Sequence, residues 1–243
     1  MNTRSRIALV TGATRGIGLE TVRQLAAADV HTLLAGRDRT KAVKAALELQ
    51  AEGLPVEAIA LDITNDASIA AAVDEVERRH GRLDILVNNA GIFRDDLDGA
   101  PSQQSMSVWR ETFDTNLFGV VAATQGFLPL LRESPAGRII NLSSSLASLA
   151  LHSDPASPIY AFKVPAYDAS KTALNAWTVH LAYELRDTPI KVNAVDPGSV
   201  RTDMNANGEL DIATGARGSV MMALIDDTGP TGSFTHLGEV LPW

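Results

Sequence analysis

Residues 7–28 read IALVTGATRGIGLETVRQLAAA. Ile7–Val10 is an apolar run of strand length. Gly12, Gly16 and Gly18 come directly after it, and a helix pattern fills Leu19–Ala28. Glycine leaves no Cβ between the main chain and an approaching anion. The N–H groups at a helix start, with the positive end of its dipole, favour a phosphate there. The same glycines would serve an ordinary tight turn, but their place between the first strand and the first helix favours the anion.

Outward from this unit the pattern repeats. Thr32–Ala35, Val56–Leu61, Leu83–Val87, Arg138–Leu142 and Lys191–Val195 are further apolar runs of strand length. Between them lie helical stripes: Val43 and Leu47; Ile69, Val73 and Val76; Phe113, Leu117, Val120, Val121 and Thr124; Leu174, Trp177, Leu181 and Leu185. Strand and helix in alternation imply right-handed crossovers and helices on both faces of a parallel sheet. The expected fold is α/β, a Rossmann-type doubly wound sheet in one domain spanning residues 1–243. Ligands of such sheets sit beyond the carboxyl ends of the strands.

Composition narrows the function classes. The chain has 243 residues, 21 Lys+Arg against 29 Asp+Glu, a net charge of −8 and no cysteine. That excludes a disulfide scaffold, a thiolate metal site and a cysteine nucleophile. The acidic balance opposes a nucleic-acid partner. No apolar run approaches the ~20 residues of a membrane span, and the run after the basic start is too short for a signal peptide. A soluble cytoplasmic protein is expected. His31, His80, His152, His180 and His236 show no metal-ligand spacing, so no metal is expected. Asp95 and Asp96 read as a solvated loop.

The glycine turn resembles the TGxxxGxG of the short-chain dehydrogenase/reductase family, and further motifs follow in order. Asn88-Asn89-Ala90-Gly91 follows the fourth strand, Asn116 sits in the next helix and Ser143-Ser144-Ser145 follows the fifth strand. Tyr167 and Lys171 form YxxxK, and Asp196-Pro197-Gly198 ends the sixth strand. The matches run from Thr11 to about Thr202. The resemblance implies a nicotinamide oxidoreductase with Asn116, Ser144, Tyr167 and Lys171 as catalytic residues. It implies cofactor contacts from Gly12, Thr14, Arg15, Gly16, Ile17 and Gly18, from Asp62 and Ile63, and from Asn88, Ala90 and Gly91. Tyr167, Lys171, Pro197, Gly198, Val200 and Thr202 would complete that set.

Tyr167 and Lys171, four apart on a helix, share one face. A nearby ammonium favours the phenolate and is expected to lower the tyrosine pKa from near 10. By resemblance, Tyr167 gives its proton to a carbonyl oxygen, and Lys171 also holds the nicotinamide ribose. A serine should hydrogen-bond that oxygen. Alignment with the family's strand end selects Ser144, and strand alternation turns Ser143 and Ser145 away. Asn116 would order a water toward Lys171, or brace the helix, or both.

An NAD enzyme usually carries an acid after the second strand. Here Gly36-Arg37 stands in that region, with Arg15 in the glycine turn, so NADPH/NADP+ is the expected cofactor. The expected activity is reduction of a small-molecule ketone or aldehyde, reversible as alcohol oxidation. The alternatives are an imine or enone reductase on the same scaffold, or a non-catalytic NADP(H)-sensing protein. A sugar epimerase is disfavoured, because the chain lacks residues for a sugar-binding subdomain.

Residues 145–166 lengthen the interval from Ser144 to Tyr167. Their prolines exclude one regular helix. The segment resembles a shorter form of the insertion in carbonyl reductases, which covers an interface helix and favours a monomer; monomer or homo-oligomer stays open. Tyr160 and Phe162 would wall a substrate pocket, or belong to a surface loop. Ser199–Gly215 is expected to cover the nicotinamide, helix to resume near Ala216–Ile225, and the chain to end in an edge strand with Trp243 packed rather than reactive.

Overall fold

A computed structural model describes residues 5–243. Eight strands form one sheet: β1 Ile7–Val10, β2 His31–Gly36, β3 Val56–Ala60, β4 Ile85–Asn88, β5 Arg138–Leu142, β6 Lys191–Asp196, β7 Phe234–His236 and β8 Glu239–Val240. Their spatial order is β3-β2-β1-β4-β5-β6-β7-β8. Every pairing is parallel except β7–β8, which closes the edge as an antiparallel hairpin. The order reverses between β1 and β4, and a ligand crevice opens at such a reversal.

Side-chain alternation along the strands sorts two cores. Leu9, Leu33, Ala35, Ile59 and Leu61 meet α3 (Asp66–His80), α5 (Gly119–Arg132) and α7 (Pro165–Glu184) on one face. Ala8, Val10, Leu34 and Val87 meet α1 (Gly16–Ala27), α2 (Arg39–Ala51) and α8 (Ile212–Leu224) on the other. Each fully buried leucine or valine contributes about 1.5–3 kcal/mol relative to an exposed one. The strand centres are therefore largely apolar because both faces are covered, with polar residues mostly toward the strand ends.

Two local features differ from the expectations, and the segment after Ser144 is irregular as its prolines require. The stripe from Phe113 to Thr124 is not one α-helix: α4 (Met106–Phe113) passes into α5 through a π turn at Asp114–Phe118. α8 begins at Ile212 rather than near Ala216, because the Asp211 carboxylate accepts the Thr214 N–H at 2.7 Å and starts it there. The segment after Ser144 contains a 3₁₀ turn at Ser145–Ala147 and a short helix, α6 (Leu149–Ser153), before its prolines begin. Trp243 packs as expected: its ring stacks on Phe234 with centroids 5.5 Å apart, and its carbonyl accepts the Ala150 N–H at 3.0 Å. Among the described residues no helix is long and apolar enough to cross a membrane.

Candidate active site

The glycine turn is built where β1 meets β4. Gly12 has φ +63, and a Cβ on it would stand 2.8 Å from Ala90 Cα, so no other residue fits without moving the chain just after β4. Asn89 ties the turn down, donating from Nδ2 to the carbonyls of Thr11 (2.7 Å) and Gly12 (3.2 Å). Thr11 Oγ1 in return accepts from the N–H groups of Asn89 and Ala90. Gly16 is the open position: a Cβ there would meet nothing closer than Thr202 Cγ2 at 4.0 Å. This leaves bare backbone at the start of α1 facing the segment after β6, a cradle suited to the pyrophosphate of a dinucleotide.

The segment that follows β6 lies over this turn. Val200 is buried, and main-chain bonds join Arg201 to Leu210 and Thr202 to Asn205. Arg15 of the turn pairs with Asp203 at 2.6 Å, both side chains being about three-quarters exposed. At the end of β2 the Thr14 methyl fills the space a side chain at Gly36 would need, 2.5 Å from the position of its Cβ. That packing leaves no room for an acid at this strand end, and the exposed Arg37 comes next. Asp62 holds Thr64 through Oδ1 at 2.7 and 3.0 Å, with Ile63 buried beside it.

The Asn88 side chain lies within the sheet. It is buried and donates to Thr124 Oγ1 (3.0 Å) and Asn141 Oδ1 (2.9 Å). Asn141 in turn donates to Thr178 Oγ1 at 2.8 Å, so a polar relay crosses β4, β5 and α7 beneath the crevice. Asn88 braces strands rather than facing the glycine turn. Asn89, its neighbour on the opposite strand face, is the one that reaches the turn.

The reactive groups gather on α7 and the end of β5. The Ser144 hydroxyl lies beside the Tyr167 phenol, and Lys171 Nζ lies 5.8 Å from the Tyr167 ring centroid. Ser143 points away, donating to Asn175 Oδ1 at 2.6 Å. Lys171 is buried and donates to the Leu142 carbonyl at 2.7 Å; burial lowers its pKa to about 8. Burial of the Tyr167 phenol, with the Asp196 carboxylate nearby, pushes its pKa up despite the neighbouring Ser144 hydroxyl. The direction is opposite to the one expected from the Tyr–Lys spacing. Desolvation is the main cause, and the Asp196 and Asp168 carboxylates add to it.

The π turn explains Asn116. Wider winding aims its side chain across to the chain after β4, where Oδ1 accepts the Ile92 N–H (2.8 Å) and Nδ2 donates to the Ile92 carbonyl (2.9 Å). Nδ2 also donates to Ser170 Oγ, which donates to the Tyr167 carbonyl at 2.7 Å. Asn116 Oδ1 and Lys171 Nζ both lie within 3.5 Å of where a Cβ on Gly91 would stand.

Two residues at the site were not singled out from sequence. Asp95 is buried, and its two carboxylate oxygens accept the N–H groups of Ala166 (2.8 Å) and Tyr167 (3.0 Å). It therefore caps α7, whose own start, Val164, provides no side-chain cap. The solvated-loop reading of Asp95 is thus corrected; Asp96 is exposed. Phe93 lies against the Tyr167 ring with centroids 5.4 Å apart. Along the inserted segment, His152 Nε2 stands 3.3 Å from Asp168 Oδ2, while Tyr160 and Phe162 are 43% and 46% exposed. Burial, with Asp95 close by, raises the Asp168 pKa to about 7.

Fold and site together define a nicotinamide-dependent oxidoreductase: a doubly wound sheet, an anion cradle after β1 and a Ser–Tyr–Lys constellation across the crevice. Comparison with known proteins agrees. The family model described as short chain dehydrogenase matches residues 6–212, and the chain belongs to the short-chain dehydrogenase/reductase family. Among its relatives is the short-chain dehydrogenase anuI of Penicillium roqueforti, 38% identical over 89% of this chain and 88% of that one. A (+)-neomenthol dehydrogenase of Capsicum annuum is 32% identical over 98% of both. The structure of an NADPH-bound carbonyl reductase from chicken fatty liver superposes with a TM-score of 0.84, at 29% identity, over 99% of this chain and 100% of that chain.

Proposed function

We propose that this chain is an NADPH-dependent carbonyl reductase, running in reverse as an alcohol dehydrogenase. The observation that carries the reading is the Ser144–Tyr167 hydroxyl pair, set above the buried Lys171 and beside Phe93. A bound nicotinamide supplies or accepts the hydride. The chain's own residues manage the oxygen. Tyr167, protonated at neutral pH because its pKa is high, gives its proton to the oxygen as negative charge grows there. Ser144 hydrogen-bonds the same oxygen and fixes its position. Lys171, held by the Leu142 carbonyl, places a positive charge beneath the phenol at neutral pH and loses it above about pH 8. Asn116 keeps the chain at Ile92 and the Ser170–Tyr167 turn in register.

Cofactor choice rests on charge. Arg37 is exposed after a strand end that excludes an acid, and Arg15 stands in the glycine turn. Each suits a 2′-phosphate through charged hydrogen bonds. The NADPH-bound carbonyl reductase and the neomenthol dehydrogenase among the relatives support a carbonyl–alcohol pair as substrate and product. The test follows nicotinamide absorbance with NADPH and NADH against ketones, aldehydes, cyclic imines and enones. Turnover of ketones or aldehydes with a clear NADPH preference is expected. Turnover confined to imines or enones, or equal use of NADH, overturns the reading.

A further inference from the structure

The opposite end of the sheet carries a second cluster. Along the face that meets α3, alternate residues of β2 and β3 are apolar toward the crevice: Leu33 and Ala35, Ile59 and Leu61. One step further toward the amino ends, the same stripe changes to His31 and Glu57. The last residue of α3, His80, completes the group. His31 Nε2 stands 2.9 Å from Glu57 Oε1, and His80 Nε2 stands 3.6 Å from Glu57 Oε2. The three donor groups lie within 4.8 Å of one another.

We propose that His31, Glu57 and His80 form a zinc site that clips α3 to the amino ends of β2 and β3. Two imidazoles and one carboxylate are a common three-ligand set for Zn²⁺, and bonds of about 2.0–2.2 Å in tetrahedral array put ligand atoms about 3.3 Å apart. The observed separations bracket that spacing. Both imidazole Nε2 atoms are buried and make no aligned hydrogen bond, their near neighbours being the Glu57 carboxylate oxygens that would share the metal. The side chains are held rather than waving: His80 is 12% exposed, His31 27% and Glu57 25%. Nitrogen donors select against Mg²⁺ and Ca²⁺, which prefer oxygen. Arg79 pairs with Glu57 Oε2 and competes for the carboxylate, which limits affinity. No spacing in the sequence betrays the set, because its members come from three separate elements. This reading departs from the expectation of no metal and is independent of the reductase reading, since the two sites lie at opposite ends of the strands.

Calorimetric titration of the full chain with ZnCl₂ tests it. One equivalent binding in the micromolar range is expected, with a rise in Tm of about 5–10 °C at zinc a hundredfold above Kd. His31→Gln and His80→Gln should each weaken binding at least tenfold, and Arg79→Gln, a surface change, should tighten it. Co²⁺ in place of zinc should show the intense visible absorption of a tetrahedral site. NADPH-linked activity without zinc is expected to match the parent in all three variants and reports that they fold. Absence of stoichiometric zinc binding below ~1 mM, or one equivalent bound with unchanged Kd after replacing both histidines, overturns the proposal. If the histidine variants do not fold, unchanged or weaker zinc binding by Arg79→Gln overturns it alone.

Discussion

The half of the molecule built on β1–β3 and the half built on β4–β6 are wound alike, yet they prepare a site by different means. The first half offers bare backbone at Gly16 and two exposed arginines, Arg15 and Arg37. The second half offers side chains fixed by buried bonds: Lys171 to Leu142, Asn116 to Ile92, Asp95 to the first turn of α7. Recognition of an anion needs charge and open space, which solvent-facing groups provide at modest cost in stability. Proton delivery needs one hydroxyl in one place, which requires a shell of bonds around it. Damage to the first half should therefore change affinity, and damage to the second should change turnover.

The sharpest break of that contrast is Tyr167→Phe. Turnover should fall ~10²–10⁴-fold, while NADPH affinity, read by fluorescence titration, stays near the parent's. Comparable turnover would remove the phenol from the chemistry. In the first half, Arg37→Ala should weaken NADPH binding ~10- to 100-fold, the worth of a charged hydrogen bond of ~1.5–3 kcal/mol, and leave NADH and kcat nearly unchanged. Arg15→Ala should cost less, because Asp203 already holds that guanidinium. A drop in kcat with unaltered KM in either arginine variant would blur the division.

Asp95→Ala probes the support of the second half. Loss of both cap bonds should lower stability by ~0.5–2 kcal/mol in urea and reduce kcat with little change in KM for NADPH. The smallest effect concerns Asp168, whose carboxyl titrates at about 7 in the fold and near 3.8 when unfolded. The raised value means the folded state holds the proton more tightly. Its contribution is present at low pH and lost as pH rises through about 7. Asp168→Asn removes that loss, so its stability relative to the parent should grow between pH 5 and pH 8. His152, Lys163 and Asp95 face the carboxyl and are unchanged in this variant. A flat difference between pH 5 and pH 8 would show that Asp168 carries no such strain.

The alternation of Ile7–Val10, Thr32–Ala35 and their successors was enough to give the sheet, because strands covered on both faces are largely apolar. The glycine turn and Tyr167–Lys171 were legible for a similar reason: their partners are near in sequence or belong to an ordered series of motifs. What escaped depends on distance or on environment. Asp95 reaches a helix start 71 positions away, and the one sequence hint was a helix opening at Pro165 with no capping residue before it. Asn89, given no role from sequence, ties down the glycine turn while the Asn88 side chain braces strands, because adjacent residues face opposite sides. The direction of the Tyr167 shift could not follow from spacing to Lys171, since it is set by burial and by Asp196 from another strand. His31, Glu57 and His80 meet only after β2, β3 and α3 have assembled.

The π turn at Asp114–Phe118 carries a consequence for how the chain tolerates length changes. Each residue of an α-helix advances the winding by about 100°. Excising one residue there would close the wide turn into regular α-helix and leave the flanking helices near their present phase, because the bulge already absorbs its extra residue. Asn116 would swing off Ile92 while overall helicity barely changed. The extra residue is what turns Asn116 onto Ile92, and the crevice depends on keeping it.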